Sequence, residues 1–504
     1  MTKKMRIGLA AAAAACGVYY AQQATGVEPL PRWIPAGAQV YLEARDFGAL
    51  LREWNASAEK RQWLESANYS VFAKSRLFLR LGDAQGELAA VSGLGLDRVL
   101  LEQLAGGASA LAVYDIGKLE FLYVTKLAAA PALQAVAGQF TNRTAAGVNY
   151  SVKSDPATGR TVAFAFRSGW LLVSTSENHL ARALELMAGQ GGGALAGEGW
   201  FARVAQAQGE LRMAANLESL ARSPHFRSYW VQRNLPELAE LEGAMADLTR
   251  SAGAWVETRT LGRKQPASGA TNAVALQTVA RAVPDDAGFY RVALGAPPAR
   301  LLAAPAAATF VEGQDAADLL ETRIDVAPFT VAGASQEAAL AALFGNATAH
   351  AVVRTTRRQA DQVFISPGLG VAVLGAANWD AAAARALLPG YTVAAAGPLL
   401  YIANHEPLLR AMQAGGAGAI AGERTVYLAS FRHGAERLRL FPMTSLIDFA
   451  GATPAEQPEQ RTPEFFSENT ASLSAVLRRF SAATVARQDE GAKLTETITY
   501  TRQP

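Results

Sequence analysis

The chain has 504 residues, of which half are hydrophobic and 18% are charged, with 47 basic and 44 acidic side chains. This composition excludes wholesale disorder, and the length predicts two or three domains. Lys3, Lys4 and Arg6 account for the whole net charge of +3, so the rest of the chain is neutral. A neutral body has no concentrated basic face, and we therefore expect no nucleic acid among its partners.

Residues 1–30 are predicted to be an export signal or a membrane anchor. A basic start is followed by an uncharged run from Ile7 to Val27, which is about as long as a membrane-spanning helix. The run is retained as a helix, or it is cleaved, or the small residues before Cys16 form a bacterial lipoprotein box in which the Cys16 sulfur takes a lipid. The other interpretation of Cys16 is a small apolar residue of the signal.

Cys16 is the only cysteine in the sequence. The exported body therefore has no disulfide, although its compartment would permit one, and it must draw its stability from its core. Exported eukaryotic proteins of this size usually carry disulfides. We therefore interpret the chain as a bacterial protein of the cell envelope, anchored to the membrane and facing the periplasm or the exterior.

Two segments that begin at Val40 and Thr309 share one pattern. Each has a strand-like run, then an aspartate, then a helical run with paired leucines. The aspartates, Asp46 and Asp315, stand where an N-cap would accept the free amides of the first helical turn. The shared pattern predicts the same strand, cap and helix in both places.

A second pair of segments repeats in the same order. "GWLLVSTSENHLARALELMAG" from Gly169 matches "GPLLYIANHEPLLRAMQAGG" from Gly397, with Ser176 and Asn404 as the expected N-caps. Two repeated units in one order indicate an internal duplication.

The duplication predicts an α+β fold of two related halves, 31–295 and 306–504, joined by a proline-rich stretch. Each half would be a mainly antiparallel sheet with helices packed on one face. In the first half, "VNYSVKSDPATGRTVAFAF" predicts a hairpin with a turn at Asp155–Gly159, where the second half has only "YTVAAA". "GQGGGALAGEG" from Gly189 and "GATPAEQPEQRTP" from Gly451 are predicted to be flexible.

Two stretches are rich in aromatic residues. "PHFRSYWVQRN" holds aromatic side chains at helical spacing with arginines between them, and a longer stretch runs from Trp54 to Phe78. Such spacing favours packing in the core, while the alternative is a binding surface for a peptide, a glycan or a lipid. The residues of that candidate surface are Phe226, Arg227, Tyr229 and Trp230.

No motif in the sequence carries a recognisable chemistry. Ser57-Ala58-Glu59-Lys60 matches one element of the penicillin-binding enzymes, but their Lys-Thr-Gly element is missing, and so is the Gly-x-Ser-x-Gly of other hydrolases. The five histidines never occur at metal-ligand spacing, and no glycine motif for nucleotide phosphates is present. We therefore predict no catalytic residue, no metal and no cofactor.

In its N-terminal hydrophobic segment, its repeated strand-cap-helix units and its Ala/Gly-rich helices, the chain resembles exported bacterial proteins classed only as domains of unknown function. The resemblance implies an envelope location. Three hypotheses follow for the function. The first is a non-catalytic, membrane-tethered module that binds an unknown envelope partner or serves assembly. The second is an envelope hydrolase with a dispersed site. The third is a lipid or lipoprotein carrier, which would need an apolar cavity between sheet and helices.

Overall fold

The computed structural model describes residues 30–65, 69, 73–74, 76–93, 98–128, 139–205, 209–224, 240–267, 272–297, 308–310, 328–330, 334–357, 366–416, 422–432 and 480–502. The chain divides into two compact units: unit 1 comprises residues 1–48 and 85–202, and unit 2 comprises residues 49–84 and 203–504. This division differs from the boundaries expected from the repeat, and halves of 31–295 and 306–504 stay a prediction.

The helices of the described residues have 6 to 17 residues. In chain order they are α1 (Phe47–Ala56), α2 (Ala58–Glu65), α3 (Arg76–Ser92), α4 (Arg98–Leu104), α5 (Glu177–Met187), α6 (Gly199–Val204), α7 (Leu217–Arg222), α8 (Ala273–Ala280), α9 (Ala334–Leu343), α10 (Ala381–Leu387) and α11 (Glu406–Ala414).

Within its described residues, unit 1 has one antiparallel sheet with the strand order β1-β2-β3-β7-β6-β5-β4. The strands are β1 (Val40–Ala44), β2 (Ser109–Asp115), β3 (Glu120–Lys126), β4 (Thr141–Ala145), β5 (Val148–Asp155), β6 (Arg160–Arg167) and β7 (Trp170–Ser174).

The described part of unit 2 has a longer antiparallel sheet with the order β8-β9-β10-β20-β19-β18-β11-β14-β15-β17-β16. A separate two-stranded sheet pairs β12 with β13. The strands are β8 (Leu211–Asn216), β9 (Leu241–Arg250), β10 (Ala254–Arg263), β11 (Phe289–Leu294), β12 (Ala308–Phe310), β13 (Pro328–Thr330), β14 (Ala347–Arg357), β15 (Ser366–Gly375), β16 (Thr392–Ala396), β17 (Leu399–Ala403), β18 (Thr425–Arg432), β19 (Phe480–Asp489) and β20 (Lys493–Arg502).

The predicted α+β class with antiparallel sheets is confirmed, but the prediction of helices on one face is wrong for unit 1. On one face, the Tyr114 ring of β2 stacks on His179 of α5, with ring centroids 3.6 Å apart. On the other face, the Tyr123 hydroxyl of β3 donates to the Leu104 carbonyl of α4 at 2.9 Å. We name these the α5 face and the α4 face.

Unit 2 shows the same arrangement, with separate clusters of buried residues on the two faces of its sheet. Val353 and Ala372 pack with α8 and α11 in one cluster. Their neighbours Val352 and Val371 pack with α9 and α10 in the other. The physical reason is visible in the strands, which carry apolar residues at consecutive positions rather than at alternate ones. A strand of this kind must be covered on both sides.

The hairpin predicted in unit 1 is confirmed. Strands β5 and β6 pair in register from Asp155 with Arg160 to Ser151 with Phe164. The Asp155 carboxylate accepts hydrogen bonds from the Ala157 amide at 3.1 Å and the Thr158 hydroxyl at 2.8 Å, which fixes the turn.

The glycine-rich segment from Gly189 is not the flexible linker that its composition predicts. Leu195 is fully buried, and its amide donates to the Ile34 carbonyl at 2.8 Å. Ala194 forms an antiparallel bridge with Pro35. One large apolar side chain therefore anchors the segment, because burying a leucine stabilises the docked state by about 2 kcal/mol. The segment from Gly451 lies outside the described residues.

The predicted helix caps are only partly correct. Ser176 is the N-cap residue of α5, but its side chain makes no capping hydrogen bond. The N-cap of α11 is His405, not the predicted Asn404. The Asn404 side-chain oxygen accepts the Leu369 amide of β15 at 2.9 Å. Asp46 directly precedes α1, whereas Asp315 lies outside the described residues.

Candidate functional site

The α4 face of unit 1 carries a patch of apolar side chains contributed by three adjacent strands. The register pairs Phe164 of β6 with Val173 of β7, and Val173 with Tyr123 of β3. Directly opposed residues of antiparallel strands point to the same face. Phe121 and Val162, two positions along their strands, therefore extend this patch.

An apolar cavity of about 100 Å³ lies between this patch and the helices that cover it. The C-terminal part of α3 contributes Leu88 and Ser92 to its wall, and α4 contributes Leu100 and Leu104. The remaining lining residues come from the sheet and from the segment before β4. They are Phe121, Phe140, Val162, Phe164, Val173, Ser174 and Thr175.

The few polar groups in the wall are already hydrogen bonded. The Ser174 hydroxyl donates to the Phe121 carbonyl at 2.7 Å, and the Thr175 hydroxyl donates to the Leu119 carbonyl at 3.0 Å. Ser92 donates to the Ala89 carbonyl at 3.3 Å. With their polar atoms satisfied by the backbone, these side chains leave the space to an apolar occupant.

Rings stiffen one end of the cavity. Phe140 and Phe164 meet edge to face with centroids 5.1 Å apart, and Val91 packs beside them. Edge-to-face pairs of this kind are worth about 0.5–1.5 kcal/mol beyond their burial. The wall at this end is therefore held in place without an occupant.

Charged side chains border the same end. Arg160 Nε lies 2.6 Å from Glu87 Oε2, which ties β6 to α3. Lys153 Nζ lies 5.9 Å from the centre of the Phe140 ring and donates to the Gln139 side-chain oxygen at 3.2 Å. The arginine is neutralised by its glutamate, and the lysine is bonded to a neutral amide.

The site residues proposed from the sequence lie elsewhere. Cys16 and the candidate surface of Phe226, Arg227, Tyr229 and Trp230 fall outside the described residues. In the aromatic stretch from Trp54 to Phe78, the interpretation as core packing is wrong for two residues, because Trp54 is 46% exposed and Trp63 is 38% exposed. Helix α2, which carries Trp63, has no buried residue.

Ser57 has a structural role where it was compared with a catalytic serine. Its hydroxyl accepts the Lys60 amide at 3.1 Å and donates to the Trp54 carbonyl at 2.7 Å, which caps the start of α2. The Lys60 ammonium donates to the Asn55 side-chain oxygen. The matching letters therefore describe a helix cap.

His179 is tied into the α5 face. Its Nε2 atom lies 3.1 Å from Glu120 Oε1, and its ring stacks on Tyr114. Burial lowers the pKa of His179, while the Glu120 carboxylate acts in the opposite direction. Burial also raises the pKa of Tyr114, whose hydroxyl donates to the Pro35 carbonyl at 2.9 Å. The two contacts of His179 fasten α5 to the sheet.

Among the described residues, no three His, Cys, Asp or Glu side chains come close enough to hold a metal ion. Within the same ranges, no helix combines the length and hydropathy that crossing a bilayer requires. We therefore take the apolar cavity as the candidate functional site of the described residues. Its lining comes from separate segments, and no single stretch of the sequence signals it.

Comparison with known proteins adds little to this geometry. No protein-family model matches the chain, and no curated protein matches it. The solved structures that match include three crystal forms of TP0453: form III at 14% identity and a TM-score of 0.26, form I at 13% and 0.25, and form IV at 12% and 0.24. The matches to forms III, I and IV cover 49%, 49% and 47% of the present chain, and 83%, 82% and 81% of the TP0453 chain. TM-scores this low establish no common fold.

Proposed function

We propose that the protein is a non-catalytic binding module of the bacterial cell envelope, tethered at its N-terminus, and that unit 1 binds the end of a hydrocarbon chain in the apolar cavity. One observation carries the proposal: a cavity of about 100 Å³ with an apolar lining lies between sheet and helices. It is smaller than the engineered apolar cavities of about 150 Å³ that bind benzene, so it would hold the end of a chain while the rest lies in the opening.

The apolar wall supports a role in binding. An apolar occupant would remove this surface from water, and the rings of Phe140 and Phe164 offer it close contacts.

The tether is proposed from the sequence. The basic residues before the uncharged run are typical of export, and no small-residue cleavage site follows the run. A binding module held at a membrane surface would meet lipid chains at high local concentration.

We also propose that the two halves of the chain arose by duplication. Strands β1-β2-β3-β7-β6 of unit 1 and β11-β14-β15-β17-β16 of unit 2 follow the same order. A helix follows β7 in the first case and β17 in the second. In this scheme β1 corresponds to β11. The strand at Thr309 belongs to the separate two-stranded sheet, so the predicted match of the segments at Val40 and Thr309 is wrong.

Filling the cavity tests the proposed function. The wild-type chain should bind the neutral apolar fluorophore N-phenyl-1-naphthylamine, and 1-decanol should displace it. Val173→Phe places a ring in the cavity and should weaken decanol binding about tenfold or more, a loss of about 1.4 kcal/mol. Thermal melting should show that the variant is folded.

Val274→Phe is the matched control. It is also a valine-to-phenylalanine change, but at a side chain that is 78% exposed. It should leave decanol binding unchanged. Leu88→Phe fills the cavity from the helix side and should reproduce the effect of Val173→Phe. Unchanged decanol binding in both filled variants would refute the proposal.

A further inference from the structure

The cavity is apolar, but the cationic side chain of Lys153 lies beside its wall. The register of the β5–β6 hairpin places Lys153 directly opposite Val162, a lining residue. Opposed side chains share a face, so Lys153 lies on the cavity side of the sheet. Its ammonium is 5.9 Å from the centre of the Phe140 ring, which also lines the cavity.

Carboxylates near Lys153 are already engaged elsewhere. Glu87 is paired with Arg160 at 2.6 Å. Asp155, on the same face, accepts two hydrogen bonds within its turn. The Thr158 hydroxyl is the main cause of its lowered pKa, and the Lys153 charge contributes to a smaller extent. Among the described residues, no carboxylate forms an ion pair with Lys153, whose hydrogen-bond partner is the neutral Gln139 side chain.

The two cations of this edge therefore differ in what they can offer a ligand. Arg160 is held by Glu87 and also donates to the Lys118 carbonyl. Lys153 has three donors and a single acceptor described at 3.2 Å. An ammonium on a flexible stem can turn toward an anion without breaking an ion pair.

We propose that the ligand of unit 1 is a single-chain anionic amphiphile, which places the end of its hydrocarbon chain in the cavity and pairs its head group with Lys153. This inference rests on the proposed function and adds the charge and the orientation of the ligand. The ligand class includes fatty acids and alkyl phosphates, because a carboxylate and a phosphate are both acceptors for an ammonium.

Two ligands that share one hydrocarbon chain and differ in their head group measure the contribution of the head group to binding. Decanoate and 1-decanol are titrated against the fluorophore complex of the full-length protein at neutral pH. Lys153→Met keeps the stem and removes the charge. We expect it to weaken decanoate binding about three- to fivefold, the value of a partly exposed ion pair, and to leave decanol binding unchanged. Lys153→Arg should retain decanoate binding.

Lys126→Met is the matched control. Lys126 also lies over an aromatic ring of unit 1, with its ammonium 5.8 Å from the centre of the Trp170 ring. The register pairs these two residues on the α5 face, away from the cavity. Its removal should change neither ligand's affinity. Raising the salt concentration should narrow the difference between wild type and Lys153→Met, because salt screens exposed charges.

The outcomes separate the two proposals. If wild-type protein binds neither ligand, the proposed function fails and this inference fails with it. If decanol and decanoate both bind but Lys153→Met affects neither, the cavity site stands and the head-group assignment is overturned. Repeating the titration with decyl phosphate shows whether the protein binds the carboxylate or the phosphate more tightly. Lys153→Met must weaken the binding of the ligand that the wild-type protein binds more tightly.

Discussion

His350 illustrates how a polar residue is accommodated inside unit 2. Its side chain is in the buried part of β14, and its Nδ1 atom lies 3.0 Å from the Gly295 carbonyl oxygen. Burial lowers the pKa of His350 to about 4, the Gly295 hydrogen bond acts in the opposite direction, and the Arg291 charge lowers it further. The imidazole is therefore neutral in the folded protein at neutral pH, and it donates its Nδ1 proton to the carbonyl.

This burial makes stability depend on pH with a definite sign. The folded pKa of about 4 lies below the ordinary value of 6.5, so protonation favours the unfolded chain. The contribution is complete above about pH 6.5 and is lost as the pH falls toward 4. As the pH falls from neutral to about 4.5, protonation of His350 should lower the free energy of unfolding by roughly 2–3 kcal/mol.

Denaturant unfolding at both pH values, for wild type and for His350→Gln, measures this contribution. Other groups also titrate in the window, so the difference between the two proteins is the informative quantity. His350→Gln should lose less stability on acidification. An equal loss in both proteins would show that His350 is not buried in its neutral form.

At the scale of the elements, hairpins and strands follow from local signals, whereas layers do not. The turn from Asp155 to Gly159 was predictable because an aspartate and a glycine stabilise it within five residues. The covering of both sheet faces depends on which helices return to each strand. The apolar doublets Leu171-Leu172 and Leu399-Leu400 hinted at it, since neighbouring residues of a strand point to opposite faces.

Strand β7 tests the two-sided packing directly. Leu171 and Leu172 are both fully buried, on opposite faces. Leu171→Ala and Leu172→Ala should therefore each cost about 2–5 kcal/mol. Leu101→Ala, at a side chain of α4 that is 52% exposed, should cost no more than about 0.5 kcal/mol. Urea unfolding compares the three variants. Two-sided burial is contradicted if either β7 variant is as stable as Leu101→Ala.

At the scale of the whole molecule, the candidate site could not be predicted from the sequence. Its lining residues are mostly ordinary apolar side chains, and they come from α3, α4, three strands, the residue after β7 and the segment before β4. Each has the pattern expected of core packing, and a cavity arises only where these segments fail to fill the space between them. The position of Lys153 at the cavity edge could not be predicted from the sequence either, because it depends on the register of β5 and β6.

The tether is the second property at this scale. We expect the full-length protein to fractionate with membranes, because its uncharged N-terminal run ends without a clear cleavage site. Cys16→Ala should release the protein if the anchor is a lipid on that sulfur, and should leave it in the membrane if the anchor is a helix. Cell fractionation with immunoblotting measures both. Full-length protein in the cytosol would contradict export.

The central claim is that unit 1 takes up a hydrocarbon chain, and calorimetric titration with 1-decanol tests it most directly. Removing apolar surface from water gives a negative heat-capacity change, so binding enthalpy should fall as temperature rises. We expect one decanol per chain with this signature, with affinity about tenfold or more weaker in Val173→Phe and unchanged in Val274→Phe. Absence of binding by the wild-type protein, or equal binding by Val173→Phe, would contradict the account.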